Sequence, residues 1–260
     1  MLGLSLMMAM SLAVSPEETA CSSLIGEHIT LSTFADVRSR LPLISPRTSY
    51  ESTADYERRL AQTAAPGASR VVVRRHPNHP GEGLSYDPDR QILTVYDTAF
   101  GAGQINFSSV FGREARASDD NFTGAIGFQV GATETGQDTY EATNAYGARV
   151  PVTRTERQVD AVWERVGRRG ESQFVGVGSY RPVARIPMAP DSARDLIEGG
   201  AAALLFVPKT PFQASGTSVL EPSFSRPRER RDTINVIIAD VQCAFLLNGA
   251  GIAMYAFTVK

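Results

Sequence analysis

Residues 234–247 read INVIIADVQCAFLL, and after the turn Asn248-Gly249-Ala250-Gly251 residues 252–259 read IAMYAFTV. Both runs are rich in β-branched, aliphatic and aromatic residues, which is typical of strands with at least one buried face. An Asn-Gly pair between two such runs is a strong signal for a β-hairpin. The C-terminal part of the chain is therefore predicted to be a hairpin of two strands, Ile234 to Leu247 and Ile252 to Val259.

Working back from this hairpin, the same signals predict seven further strands. They are Val71 to Arg75, Gln91 to Tyr96, Gln104 to Phe111, Gly124 to Val130, Arg149 to Thr155, Gln173 to Val177, and Ala202 to Val207. Between Pro211 and Asp232 the sequence is polar and contains several prolines, which predicts a long surface loop.

Three short helices are predicted from a hydroxyl residue placed three positions before a carboxylate, because the two side chains can satisfy the free amides of a first turn. The pairs are Thr33 with Asp36, Ser52 with Asp55, and Ser192 with Asp195. Strands outnumber helices and do not alternate with them in βαβ order. The expected fold class is therefore mainly β with short helices (α+β), as an antiparallel sheet or a β-sandwich.

The composition excludes several classes of protein. Of the 260 residues 42% are hydrophobic and 21% are charged, which is the balance of a folded globular chain. The formal net charge is -2, so nothing favours nucleic acid as a partner. The sequence contains no apolar run of the roughly 20 residues that a transmembrane helix needs, and we expect no transmembrane span.

The N-terminus resembles a signal for export. Leu2 to Val14 is an apolar run without charge, and Ser11 and Ala13 occupy the small-residue positions before a cleavage site. Its weakness is the absence of Lys and Arg, and a buried N-terminal helix is the alternative. We expect a signal peptide over residues 1–13, a helical segment over 14–67 and a β-rich domain over 68–260, in a periplasmic or secreted protein.

Cys21 and Cys243 are the only cysteines. In an exported chain they can form one disulfide. Cys243 alternates along its predicted strand with Ile237, Val241 and Phe245, so we expect it to face the core, where a free buried thiol is the alternative. A lipidated Cys21 is a further alternative, which Thr19 and Ala20 favour and Glu18 disfavours.

Two stretches carry a resemblance to known proteins. Residues 50–60, YESTADYERRL, and residues 140–154, which contain Asn144-Ala145-Tyr146-Gly147, resemble segments of uncharacterised exported bacterial proteins. Both stretches are short, and the first has the pattern of any capped amphipathic helix. The resemblance implies an exported protein of unknown function and supplies no catalytic residues.

The sequence offers few side chains for catalysis or metal binding. Among three histidines, His76 and His79 form an H-x-x-H pair near Glu82, but two prolines place them in an extended loop, and an exposed turn is the simpler interpretation. The carboxylate pairs Asp87 with Asp89 and Asp119 with Asp120 lack the spacing of a calcium loop. No serine-nucleophile motif and no cofactor-binding glycine loop is present. We assign no catalytic residue, no metal site and no cofactor.

One cluster of charge remains, in Arg226-Pro227-Arg228-Glu229-Arg230-Arg231. Arg226, Arg228, Arg230 and Arg231 could bind an anionic surface, whereas the simpler interpretation is a solvated loop. We expect a non-catalytic binding or assembly module whose partner is an envelope protein or an anionic ligand. A carboxylate-dependent hydrolase or carbohydrate-active enzyme is the alternative, since paired carboxylates leave little trace in a sequence. A cytosolic scaffold would follow if residues 2–14 stayed on the mature protein.

Overall fold

The computed structural model describes residues 21–45, 47–63, 71–77, 79–103, 126–143, 146–164 and 181–259. Within these residues it is mainly β with three short helices, α1 Phe34–Arg40, α2 Thr53–Gln62 and α3 Pro190–Gly199, and a 3₁₀ helix over Asp97–Phe100. The strands are β1 Val71–Arg74, β2 Leu84–Asp87, β3 Ile92–Tyr96, β4 Ala102–Gly103, β5 Ile126–Thr143, β6 Arg149–Glu164, β7 Pro182–Pro187, β8 Ala201–Leu220, β9 Arg228–Leu247 and β10 Ala253–Thr258. The expected fold class is confirmed.

The larger sheet has seven strands in the order β1-β8-β9-β6-β5-β4, and β10 also pairs with β9. Every pairing is antiparallel except that of β6 with β9, which is parallel. This one parallel pair arises because the hairpins β5–β6 and β8–β9 lie side by side and point the same way. The smaller sheet has the order β2-β3-β7 and is antiparallel throughout.

The two sheets share one hydrophobic core. Buried residues of the small sheet meet those of the large sheet, of α1 and of α3; among them are Leu93, Val95, Ile186, Leu204, Phe206, Ile237, Phe34, Val37 and Leu196. A second buried cluster lies around Cys21, Cys243, Phe245 and Leu247, and a third contains Val159, Trp163, Ile234, Val236 and Ile238. From Ile234 to Leu247, β9 is therefore buried on both faces, which explains its nearly continuous apolar sequence.

Two of the three predicted helix caps are confirmed. The Thr33 and Ser52 hydroxyls accept hydrogen bonds from the amides of Asp36 and Asp55, as a capping box requires. The Ser192–Asp195 cap is wrong, because α3 begins at Pro190 with Ala189 as the residue before it. Proline without an amide hydrogen is well suited to the first helical turn, and the N-cap is Ala189, three residues before Ser192.

The long loop predicted from Pro211 to Asp232 is also wrong. Residues Gln213 to Leu220 of β8 pair with Arg230 to Ile237 of β9, so that only residues 221–227 form the turn. Pro211 lies in a bulge between Pro208 and Gln213, where the register of β8 with β9 shifts. A proline is tolerated there because the bulge requires no hydrogen bond from its nitrogen, which has no hydrogen to donate. The predicted strands Gln104 to Phe111 and Gln173 to Val177 lie outside the described residues.

A second bulge changes the face on which Cys243 lies. The register between β8 and β9 shifts between Leu205 and Phe206, opposite Gln242. Val241 and Ile237 therefore belong to the first cluster, whereas Cys243 belongs to the second on the other face. Cys243 is buried as expected, but simple alternation from Val241 gives the wrong side of the sheet.

Candidate binding surface

The turns of the hairpins β5–β6 and β8–β9 lie at the same end of the large sheet. Because β6 and β9 are parallel, with Thr153 opposite Arg228, the turn that precedes β6 and the turn that precedes β9 lie at the same end of the sheet. The Thr153 amide donates to the Pro227 carbonyl at 3.1 Å, and Ser223 and Arg226 exchange backbone hydrogen bonds of 3.0 Å. These bonds fix a surface that we call the hairpin end, residues 146–154 and 219–231.

Large apolar side chains are exposed at the hairpin end. In the described part of the chain eight large hydrophobic side chains are exposed, and four of them lie here: Tyr146, Phe224, Val219 and Leu220. Tyr146 is 96% exposed and Phe224 is 59% exposed. A group of exposed apolar side chains at one end of a sheet is typical of a site that another molecule covers.

The four arginines that the sequence singled out all lie at the hairpin end, but not in a loop. Arg226 is in the turn, and Arg228, Arg230 and Arg231 belong to β9. Strand alternation places Arg228 and Arg230 on one face and Arg231 on the other. The expectation of a loop cluster is therefore wrong: the arginines flank both sides of the projecting sheet.

Two of these arginines form ion pairs with carboxylates of β9. Arg230 Nε lies 3.1 Å from an Asp232 oxygen, and Arg231 pairs with Glu229. Arg226 and Arg228 form no ion pair within the described part of the chain, where Glu221 is the unpaired carboxylate of the turn. Within the described residues, the arginines of this cluster that have no ion pair are thus Arg226 and Arg228, close in sequence to Phe224.

A network of polar side chains stiffens one face of the hairpin end. The Tyr140 hydroxyl donates to Glu229 at 2.6 Å, and Arg154 Nε donates to Asp138 at 2.8 Å. The Tyr140 hydrogen bond and the Arg231 guanidinium hold the pKa of the Glu229 carboxyl below its usual value, and the same hydrogen bond raises the pKa of Tyr140. The Glu229 carboxylate therefore ties β9 to β5 across β6.

The other face carries a corresponding ion pair. Arg157 of β6 donates from Nε and from a terminal nitrogen to the two oxygens of Asp232 on β9, at 2.9 and 3.1 Å. A guanidinium that bonds both oxygens of a carboxylate holds the relative position of the two strands more firmly than one contact does. Together the two networks keep the hairpin end in shape where the apolar core is absent.

The predicted disulfide is present. Cys21 and Cys243 are joined, with their Cα atoms 5.8 Å apart, and both residues are buried. The bond links the start of the described chain to the central strand of the large sheet, 222 residues away. The alternatives of a free buried thiol and of a lipidated Cys21 are therefore wrong for this structure.

The histidine pair does not assemble a metal site. His76 and His79 are both exposed, and Glu82 forms an ion pair of 2.9 Å with the buried guanidinium of Arg75. The described residues contain no group of three or more His, Cys, Asp or Glu side chains that could hold a metal ion. Asp87 accepts hydrogen bonds from the amides of Asp89 and Arg90, as a turn residue does, while Asp119 and Asp120 lie outside the described residues.

Asp97 is the buried carboxylate that an acid–base mechanism would need, since burial raises its pKa. Its Oδ1, however, accepts hydrogen bonds from the backbone amides of Thr98 at 2.8 Å and Arg181 at 3.4 Å. Within the described residues no hydrogen bond joins Asp97 to a second carboxylate. Its contacts are those of a residue that holds the 3₁₀ helix beside the segment before β7.

Sequence reasoning identified the arginines but not the aromatic residues beside them. Tyr146 and Phe224 each follow a break in the strand pattern, and an aromatic residue in a polar turn was the available signal.

No helix in the described part of the chain is long and apolar enough to cross a membrane. Comparisons with protein families, curated proteins and solved structures give no match to this chain.

Proposed function

We propose that the protein is an exported binding or assembly module without catalysis, and that the hairpin end binds an envelope protein. The observation that carries the proposal is the concentration of exposed Tyr146, Phe224, Val219 and Leu220 at the same end of the sheet as Arg226 and Arg228. Aromatic residues and arginine are the residue types most enriched where protein interfaces derive their affinity.

The partner's chemistry follows from this surface. Phe224 and Tyr146 need an apolar patch to cover them. The guanidinium groups of Arg226 and Arg228, which have no ion pair among the described residues, favour carboxylates around that patch. The polar networks around Glu229 and Asp232 hold the surface in place before binding, so that little order has to be gained on association. We therefore expect a folded partner with an apolar patch surrounded by acidic residues.

Export to the periplasm or to the medium is the second part of the proposal. It is supported by the apolar run Leu2 to Val14 in the sequence and by the Cys21–Cys243 disulfide, because such bonds persist in oxidising compartments and are rare in the cytosol. The resemblance to uncharacterised exported bacterial proteins points the same way.

Export is tested by the intact mass of the protein purified from fractionated native cells, with alkylation before and after reduction. We expect a chain that lacks residues 1–13, outside the cytoplasm, with both thiols protected until they are reduced. A full-length cytoplasmic chain with two free thiols would overturn the export proposal.

The binding surface is tested by a photo-activated cross-linking amino acid placed in native cells at position 224 or 146. The matched control is position 50, since Tyr50 is 99% exposed but lies before α2. We expect one discrete adduct from positions 224 and 146 and none from position 50. Equal adducts from all three positions, or none from 224 and 146, would contradict the proposal.

A further inference from the structure

A separate pocket lies away from the hairpin end, and we propose that it binds a small carboxylate with an apolar body, such as an acylated amino acid or the C-terminal residue of a peptide. Its volume is about 370 Å³, within the range of roughly 300–1,000 Å³ that small-molecule sites occupy. The segment 28–31, the end of α3 and the turn 248–251 surround it.

The wall formed by segment 28–31 is held firmly. The Ile29 amide donates to the Gly251 carbonyl at 3.0 Å, and Gly26 and Glu27 exchange backbone hydrogen bonds with Ala253. The disulfide at Cys21 anchors the same segment to β9. A pocket whose walls are already fixed loses little entropy when a ligand enters.

Its lining combines apolar side chains with four polar ones, those of His28, Thr30, Arg74 and Asn248. Four of its apolar side chains pack in or against the second buried cluster; Leu31 and Ala201 are half-buried, and Ile29 and Leu247 are buried. Arg74 and His28 also line the pocket and are exposed. A mostly apolar pocket with a few polar groups is typical of a site that fixes the orientation of a small ligand.

Arg74 is placed to meet an anion. It follows two residues after Val72 on β1, so strand alternation puts both side chains on the same face of the sheet, and Val72 packs against the second cluster. The side chains of Arg74 and His28 form no hydrogen bond or ion pair with the described residues. A guanidinium can donate two parallel hydrogen bonds to a carboxylate, and the imidazole N–H supplies another donor.

Glycines leave the space open. Gly199, Gly249 and Gly251 line the pocket without side chains. A Cβ on Gly249 would meet only the Gly199 carbonyl oxygen, at 3.5 Å, and Gly249 does not have a positive φ. A larger residue at 249 would therefore occupy the pocket without straining the backbone. The apolar lining beside one arginine favours an organic carboxylate over inorganic phosphate, which would leave that surface uncovered.

The test is a titration of the oxidised protein followed by amide NMR, with N-acetyl-leucine as the probe. Its uncharged amide, acetate and inorganic phosphate are the comparison ligands. We expect saturable shifts at Gly249 and Gly251 with a Kd of about 1 mM. The amide and acetate should each bind at least about tenfold more weakly, because one lacks the charge and the other the apolar body.

Three variants, one of them a control, complete the test. Arg74→Gln should weaken N-acetyl-leucine binding about tenfold, whereas Arg58→Gln, at a 64% exposed arginine on α2, should leave it unchanged. Gly249→Leu should abolish binding while the spectrum of a folded protein is kept. Equal binding of the amide or of phosphate, or unchanged binding by Arg74→Gln, would overturn this proposal, and none of these results bears on the hairpin end.

Discussion

Strand β9 belongs to two regions with opposite physical character. From Ile234 to Leu247 it is covered on both faces by apolar side chains, and this base of the sheet also carries the disulfide. From Arg228 to Thr233 the same strand alternates exposed residues with Glu229 and Asp232, which are buried by ion pairs. One continuous strand thus joins an apolar base to a polar hairpin end, where we propose that a partner binds.

The largest expected difference between the regions comes from two phenylalanines. Phe206 is fully buried at the base, and Phe224 is 59% exposed at the hairpin end. Phe206→Ala should lower the free energy of unfolding by about 3–5 kcal/mol, because it removes apolar contacts and leaves a cavity. Phe224→Ala should change it by less than about 0.5 kcal/mol. Denaturant unfolding of both variants measures the two values, and similar losses would remove the distinction.

Ion pairs should show the same contrast on a smaller scale. Arg75 at the base is buried and bonds Glu82, the Ala99 carbonyl at 3.1 Å and the Gln129 carbonyl at 3.3 Å. Glu82→Gln should lower the free energy of unfolding by about 3 kcal/mol, because the guanidinium stays buried without its counter-charge. Asp138→Asn, which releases Arg154 at the hairpin end, should leave the denaturation midpoint unchanged within error. A larger loss of stability from Asp138→Asn than from Glu82→Gln would contradict the view that the base provides most of the stability.

The disulfide tests whether the base depends on its covalent link. The double variant Cys21→Ala, Cys243→Ala should lower the free energy of unfolding by about 2–4 kcal/mol, since the unfolded chain loses a very long cross-link. Reduction of the wild type should have a similar effect, and reduction of the double variant should have none. Hydrogen exchange should increase in residues 21–33 and β10 and stay constant at the hairpin end. An equal increase of exchange in residues 21–33, in β10 and at the hairpin end would show that the two regions are not independent.

Two buried carboxyl groups, Asp97 in the 3₁₀ helix and Glu229 at the hairpin end, should change stability with pH in opposite directions. Burial raises the pKa of Asp97, so the folded protein binds a proton more readily than the unfolded chain does, and this residue makes stability fall as the pH rises through its raised pKa. The pKa of Glu229 is lowered by Tyr140 and Arg231, so its contribution is present above about pH 4.5 and is lost as the pH falls below that. Stability measured against pH for Asp97→Asn and Glu229→Gln separates the slopes. Slopes of the same sign would contradict the opposite pKa shifts of the two carboxyl groups.

The strands of the base could be predicted from the sequence, whereas those of the hairpin end could not, and the reason is physical. Apolar runs such as Ile234 to Leu247 identify strands because a buried face needs hydrophobic residues. Gln213 to Leu220 and Arg228 to Thr233 project from the core, so neither face requires an apolar pattern, and the polar sequence looked like a loop. The bulge at Gln242 could not be predicted from the sequence either. Both faces of the sheet are apolar there, so a change of face leaves the hydrophobic pattern of the sequence unaltered.

The site was predictable to a similar extent. Arg226 and Arg228 stood out as charge, but their position beside Phe224 and Tyr146 depends on the parallel pairing of β6 with β9. That pairing joins two hairpins that are separated in sequence, and no local signal specifies it. The Cys21–Cys243 pair was predictable because only one pairing of two cysteines exists.

The central claim is that the hairpin end, and not the base, binds a partner. Size-exclusion chromatography of envelope extracts from native cells tests it most directly, comparing the wild type, the double variant Tyr146→Ser, Phe224→Ser and the control Tyr50→Ser. We predict that the wild type and the control elute together in a complex larger than the monomer, and that the double variant elutes as a folded monomer. Elution of the double variant in the same complex as the wild type would contradict the claim.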